Sequence, residues 1–151
     1  METAQGALSP HIPQFSIFLA NKPGRLLELT NLLSSHHILI VALTILDTAD
    51  SAIVRIIVSD PETTRAILQE HTLPYTETPL VAVELPHGAE SLRDVLRALW
   101  QAECNIYFTY AFLITPDDKP ILALHVEDQE IACDVLRRHQ FRILSQDDIS
   151  R

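Results

Sequence analysis

Six residues, Asn21-Lys22-Pro23-Gly24-Arg25-Leu26, separate an apolar run, Phe15 to Ala20, from a leucine-spaced segment that begins near Gly24. The chain has only three glycines in 151 residues. One of them sits behind a proline at a strand-to-helix turn, where a missing side chain lets backbone approach something closely. Backbone N–H groups at a helix N-terminus hold a carboxylate well, because they point outward and the helix dipole favours negative charge. An amino acid offers such a carboxylate together with an ammonium on the same carbon. Gly24 leaves room for it, and the Asn21 amide can donate or accept. Lys22 and Arg25 add positive charge beside the turn. The plainer reading is that Asn21 caps the helix, Gly24 only permits the turn, and Lys22 and Arg25 are solvated.

A second cluster is Asn105-Ile106-Tyr107. Asn105 opens an apolar strand, where an unpaired amide is disfavoured. It therefore either binds a ligand or bonds the backbone of a loop. Strand alternation sets Tyr107 on the face opposite Phe108, Tyr110 and Phe112. Tyr107 thus lines a pocket or packs across the strand. The histidines His36, His37, His71 and His139 do not converge in sequence as metal ligands must, and no metal or cofactor is expected. Cys104 and Cys133 form no metal or redox spacing. No nucleophile elbow, phosphate-binding glycine loop or zinc-protease motif is present, so no enzymatic activity is expected. Asp117-Asp118 falls in a turn, where solvated acids are usual.

The elements that position these residues occur twice. At a separation of 66, Leu26 meets Leu92, Leu33 meets Leu99 and Ile40 meets Ile106. At 68, Ile53 meets Ile121, Asp60 meets Asp128, Leu68 meets Leu136 and His71 meets His139. The two added residues fall in a hairpin, where insertions are tolerated. Each copy reads strand, helix, strand, strand, helix, strand. The first has strands at Phe15–Ala20, Ile38–Leu46, Ile53–Val58 and near Tyr75–Thr78, with helices from about Gly24 to Ser35 and after Asp60-Pro61. The second has strands at Leu80–Leu85, Tyr107–Ile114, Ile121–Val126 and Arg142–Leu144. Its helices follow Leu92, Val95, Leu96 and Leu99, then Asp128.

This order predicts an α+β chain of two ferredoxin-like βαββαβ units side by side, with antiparallel sheet and helices on one face. The boundaries are a leader at 1–13, a first unit at 14–78 and a second at 79–151. Each unit is small enough to be marginal alone. Joining the two edge to edge would cover two exposed strand edges.

With its strand-turn-helix and "AECNI" segments, the chain resembles a tandem pair of ACT domains. Asn21-Lys22-Pro23-Gly24-Arg25-Leu26 matches the family's strand-ending motif, and Asn105-Ile106 matches the start of its second strand, with Cys104 in place of a glycine. The resemblance covers about Gln14 to Ile149. It implies a module that binds amino acids at the junction of two units and regulates an enzyme of amino-acid metabolism. Each copy keeps a different half of the signature. The 66-residue separation sets Glu90 against Gly24, with Gly88 two residues early, and Leu39 against Asn105. The resemblance therefore implies one composite site of Asn21, Lys22, Pro23, Gly24, Arg25 and Leu26 with Asn105, Ile106 and Tyr107. The alternative is a regulatory subunit acting on a biosynthetic enzyme without a working ligand site.

Net charge is −9, and no basic run exceeds Arg137-Arg138, so nucleic acid is not expected as a partner. The longest mainly apolar stretch, Ile38 to Leu46, is too short to span a membrane. The first thirteen residues lack the order of a secretory signal, and a cytoplasmic location is expected. Both faces of Ile38–Leu43 are apolar while helices cover one face, which predicts a homodimer burying the other.

Overall fold

The strand β1 (Ile12–Ala20) opens the computed structural model, which describes residues 11–20, 22–48 and 50–150. Its side chains alternate. Phe15, Ile17 and Leu19 face the helices of the first unit, while Ile12, Gln14 and Ser16 face the other way. After it come α1 (Arg25–Ser35), β2 (Ile40–Asp47), β3 (Ser51–Val58), α2 (Pro61–Glu70) and β4 (Tyr75–Glu84). The second half follows with α3 (Ala89–Gln101), β5 (Ile106–Ala111), β6 (Ile121–Val126), α4 (Gln129–Arg138), β7 (Ile143–Leu144) and α5 (Gln146–Ile149). Asn21, part of the expected site, lies outside the described residues, as do residues 1–10 of the expected leader.

The helix starts follow local chemistry. Asp60 accepts a bond from the Thr63 N–H with Pro61 next to it, and Asp128 accepts one from the Ile131 N–H. These are equivalent N-caps in the two copies. The helices α1 and α3 instead open on glycine, Gly24 at φ 87° and Gly88 at φ 64°.

The strands form one antiparallel sheet in the order β2-β3-β1-β4-β6-β5, with β7 also paired to β4. Both units have the ferredoxin-like arrangement. They share β4, whose first half pairs with β1 and whose second half pairs with β6 and β7. The separate strands expected at Tyr75–Thr78 and Leu80–Leu85 are thus one. Each unit also carries a bulge at a matching place, between Ile40 and Ala42 on β2 and between Ile106 and Phe108 on β5. Bulges bend strands, and the sheet curls until its two edges meet. Ala42 bridges Phe112, and the Val41 carbonyl accepts the Leu113 N–H at 2.7 Å.

The curl creates three cores. One lies under α1 and α2, around Phe15, Leu33, Ile56 and Leu68. A second lies under α3 and α4, around Val83, Leu99, Leu124 and Leu136. The third lies between the helix-free faces of the two units, where Ile12, Ile57 and Leu80 pack with Phe112, Ile121 and Ala123. The apolar face that the sequence left uncovered is therefore covered within the chain, and that face no longer calls for a second copy. The short helix α5 was not anticipated; its capping box, Ser145 with Asp148, holds only four residues.

Candidate ligand-binding site

At the end of β1 the chain turns sharply: the Lys22 N–H bonds the Ala20 carbonyl at 2.8 Å, and the Arg25 N–H reaches the Lys22 carbonyl at 3.4 Å. Gly24 then caps α1 in a left-handed conformation and has no side chain to occupy the first-turn N–H groups. A Cβ at Gly24 would meet nothing within 4 Å. The space beside the turn is open to a ligand, but the glycine is required by its φ. Gly88 stands at the matching place in the second unit with the same property. The equivalence expected between Gly24 and Glu90 is therefore corrected. Helix α3 has two more residues at its start, so Glu90 lies inside its first turn.

A cavity of about 280 Å³ lies against this turn. Its apolar wall comes from Leu19, Ala20, Ile45, Ala52 and Val54, at the ends of β1 and the β2–β3 hairpin. Lys22, Arg25 and Leu26 border it from the turn, and Asp47 borders it from the end of β2. Arg25 is also paired with Glu28 at 3.3 Å on the exposed helix surface. The cavity thus combines two cations, a helix N-terminus, one carboxylate and an apolar wall. That combination matches the two charges and side chain of an amino acid. Asp47 and the hairpin wall were not singled out from the sequence, although strand alternation sets Ile45 and Asp47 on the face that carries the helices.

Asn105, Ile106 and Tyr107 do not line this cavity. Asn105 is exposed rather than buried, and its backbone bonds Glu127 through both its carbonyl, 2.8 Å, and its N–H, 3.4 Å. Ile106 packs into the core under α3 and α4. Tyr107 is 56% exposed at the β5 bulge, with its ring 5.0 Å from that of His125. Since β5 runs antiparallel to β2 from the Ala42–Phe112 bridge, these residues lie toward the same end of the sheet as the turn but on a different surface.

A larger cavity, about 350 Å³, is bordered by Val41, Ile114, Asp117, Arg142 and Asp148. Its cation is already occupied: Arg142 pairs with Asp117, Glu84 and Asp148. Among the described residues no group of three or more His, Cys, Asp or Glu is placed to hold a metal, and no helix is long and apolar enough to cross a membrane.

Comparison with known proteins bears on this geometry. No curated protein matches the chain. Among solved structures, protein BT0572 from Bacteroides thetaiotaomicron is 28% identical with a TM-score of 0.86, over 95% of this chain and 99% of that one. The regulatory subunit of aspartate kinase from Thermus thermophilus, in a ligand-free form, shares the fold at 13% identity and a TM-score of 0.56, over 86% of this chain and 92% of that one. The corresponding subunit from Thermus flavus does so at 14% and 0.55, over 85% and 92%. The family model of the ACT domain pair matches residues 11–151. With its repeated βαββαβ unit, its shared strand and a family match over nearly its whole length, the chain belongs to the ACT domain pair family.

Proposed function

We propose that this chain is a non-enzymatic, amino-acid-binding regulatory protein of amino-acid metabolism, acting in the cytoplasm. The observation that carries the reading is the cavity at the Gly24 turn, with opposite charges on its border. A ligand carboxylate would sit on the first-turn N–H groups of α1 with Lys22 and Arg25 nearby. Its ammonium would face Asp47, and its side chain would lie against Leu19, Ile45 and Val54. Membership in the ACT domain pair family supports this, as does the shared fold of aspartate kinase regulatory subunits. The two units, 14–78 and 79–151, would act as one sensor joined within β4.

The homodimer has a different support from the one read in the sequence. Within one chain, Asn105, Ile106 and Tyr107 and the Lys22–Leu26 part of the turn serve different surfaces. A second copy is what would bring them together into the composite site. The regulated partner would be a biosynthetic enzyme. A thermal-shift screen over the standard amino acids tests the ligand reading, because a ligand at 100 times its Kd stabilises by about 2.7 kcal/mol. Calorimetric titration of Gly24→Glu then tests the site. Full-affinity binding by that variant, folded, sinks the assignment.

A second reading, an interaction subunit without a ligand, is favoured by Trp100. It is 76% exposed on α3, one turn from the exposed Leu96. Co-purification of an enzyme with no ligand effect on melting would select it.

A further inference from the structure

The space between the two helix-free sheet faces changes character from one end to the other. At the closed end it is filled by Ile12, Ile57, Leu80, Phe112 and Ile121. At the other end the same strands carry Gln14 and Ser16 on β1, Thr44 on β2 and Arg55 on β3. Tyr110 on β5 and His125 on β6 complete this end. Ser16 and Thr44 are the cross-strand neighbours of Arg55, so all three share one face. The Arg55 guanidinium carbon lies 4.1 Å over the Phe108 ring, and the Phe108 and His125 rings are 4.9 Å apart.

Arg55 is half-buried, and it differs from the half-buried Arg65 and the exposed Arg142. Arg65 is forked onto Glu77, and Arg142 has three carboxylates. Arg55 has no carboxylate partner among the described residues, although the chain as a whole is acidic. The Phe108 ring offers Arg55 an aromatic face but no oxygen acceptor, and the planar fork of guanidinium N–H groups suits an oxyanion. The His125 Nδ1 is buried without a hydrogen-bond partner. The Ser16 hydroxyl accepts a bond from Gln14 Nε2 at 3.3 Å and keeps its own hydrogen to donate. Burial, together with the nearby Arg55 charge, holds His125 below the usual histidine range, while burial pushes the Tyr110 phenol up against the opposing pull of Arg55. Both rings are therefore neutral near pH 7, and Arg55 is the charge at this end.

We infer that this polar end is a second ligand site, distinct from the Gly24 cavity, which holds the oxyanion of a small organic acid or of a phosphate on Arg55 between the two helix-free faces of the curled sheet. The packed opposite end shows that the fold can fill this space with aliphatic side chains. Polar groups here are not demanded by packing, and a half-desolvated cation lacking an acceptor is costly. The Arg55 fork binds the oxyanion and the hydroxyls of Ser16 and Thr44 flank it. The Phe108 ring supplies an apolar wall for an attached body. Because both units contribute, occupation of this site clamps their faces together.

The test is an NMR titration of the full chain, following the Arg55 Nε and His125 ring resonances. Sodium benzoate and inorganic phosphate are added in separate arms against a sodium chloride control at equal ionic strength. Saturable shifts with benzoate alone assign a carboxylate site; with phosphate alone, a phosphate site; either supports the proposal. Arg55→Gln should weaken the response at least about tenfold, and Arg55→Lys, which keeps the charge but not the fork, should lie between. Gly24→Glu should leave it unchanged, which separates this site from the first. No saturable shift in either arm overturns the proposal, as does an undiminished response in folded Arg55→Gln.

Discussion

The Tyr110 hydroxyl donates to Gln14 Oε1 at 2.7 Å, joining two residues 96 positions apart and from different units. Gln14 is 1% exposed, so no water can replace the donor. Tyr110→Phe is expected to cost about 1–3 kcal/mol, the range for leaving a buried acceptor unpaired. Gln14→Leu combined with Tyr110→Phe should recover part of that loss, since both polar partners are then gone. Urea denaturation of the two single variants and the double measures this coupling.

Removing the cap of α2 is expected to cost about 1 kcal/mol in Asp60→Ala at neutral pH. Bonds from the Thr63 hydroxyl and N–H hold the Asp60 carboxyl below its ordinary range. A depressed folded pKa contributes stability above the unfolded value, about 3.9, and loses it as pH falls through the folded one. Stability curves of wild type and Asp60→Ala should therefore converge below about pH 4. Parallel curves down to pH 2 would contradict this.

Gly24→Ala and Gly88→Ala should each lose on the order of 1 kcal/mol, from backbone strain at positive φ and not from collision. Under the proposed function, Gly24→Ala keeps amino-acid binding while Gly24→Glu loses it. Thermal melts paired with titrations distinguish strain from obstruction.

Both cysteines are free and buried, and burial raises the Cys133 thiol. A thiol reagent at pH 8 should react with neither in the native protein and with both after denaturation. Rapid native labelling of Cys133 would show that α4 opens locally.

A chain of net charge −9 should not be retained on duplex DNA near physiological ionic strength. A filter-binding assay over a salt series checks this.

Strong local signals in the sequence survive in the structure almost unchanged. The strand Ile121–Val126 has the expected ends, and Asp60 and Asp128 cap as expected. Prolines concealed more. Pro13 and Pro79 lie just outside the strands expected at Phe15–Ala20, Tyr75–Thr78 and Leu80–Leu85, yet they face each other in the β1–β4 register, opposing two residues that have no N–H to donate. That pairing hid both the start of β1 and the continuity of β4. The match of Glu90 to Gly24 failed because helical leucines fix a face but not the residue at which a helix begins. At the candidate site, the turn was legible because a Pro-Gly pair carries its own geometry. Asp47, by contrast, has its face set by strand alternation, but its place beside the turn depends on how β1, β2 and β3 pair, which no local pattern encodes. Arg55 was silent for the same reason: its neighbours Phe108 and His125 are brought to it from the other unit.

The shared strand β4 has a mechanical meaning as well. Side chains alternate along it without interruption from Tyr75 to Glu84, so both halves of the protein take their inside and outside from one ribbon. A single residue inserted beside Pro79 would leave the Tyr75 end in place and rotate the Val81–Glu84 end by half a turn. Val81 and Val83 would then point away from α3 and α4. Neither half can therefore drift in sequence length at this junction independently of the other. The two repeated units are thus bound to one reading frame of inside and outside.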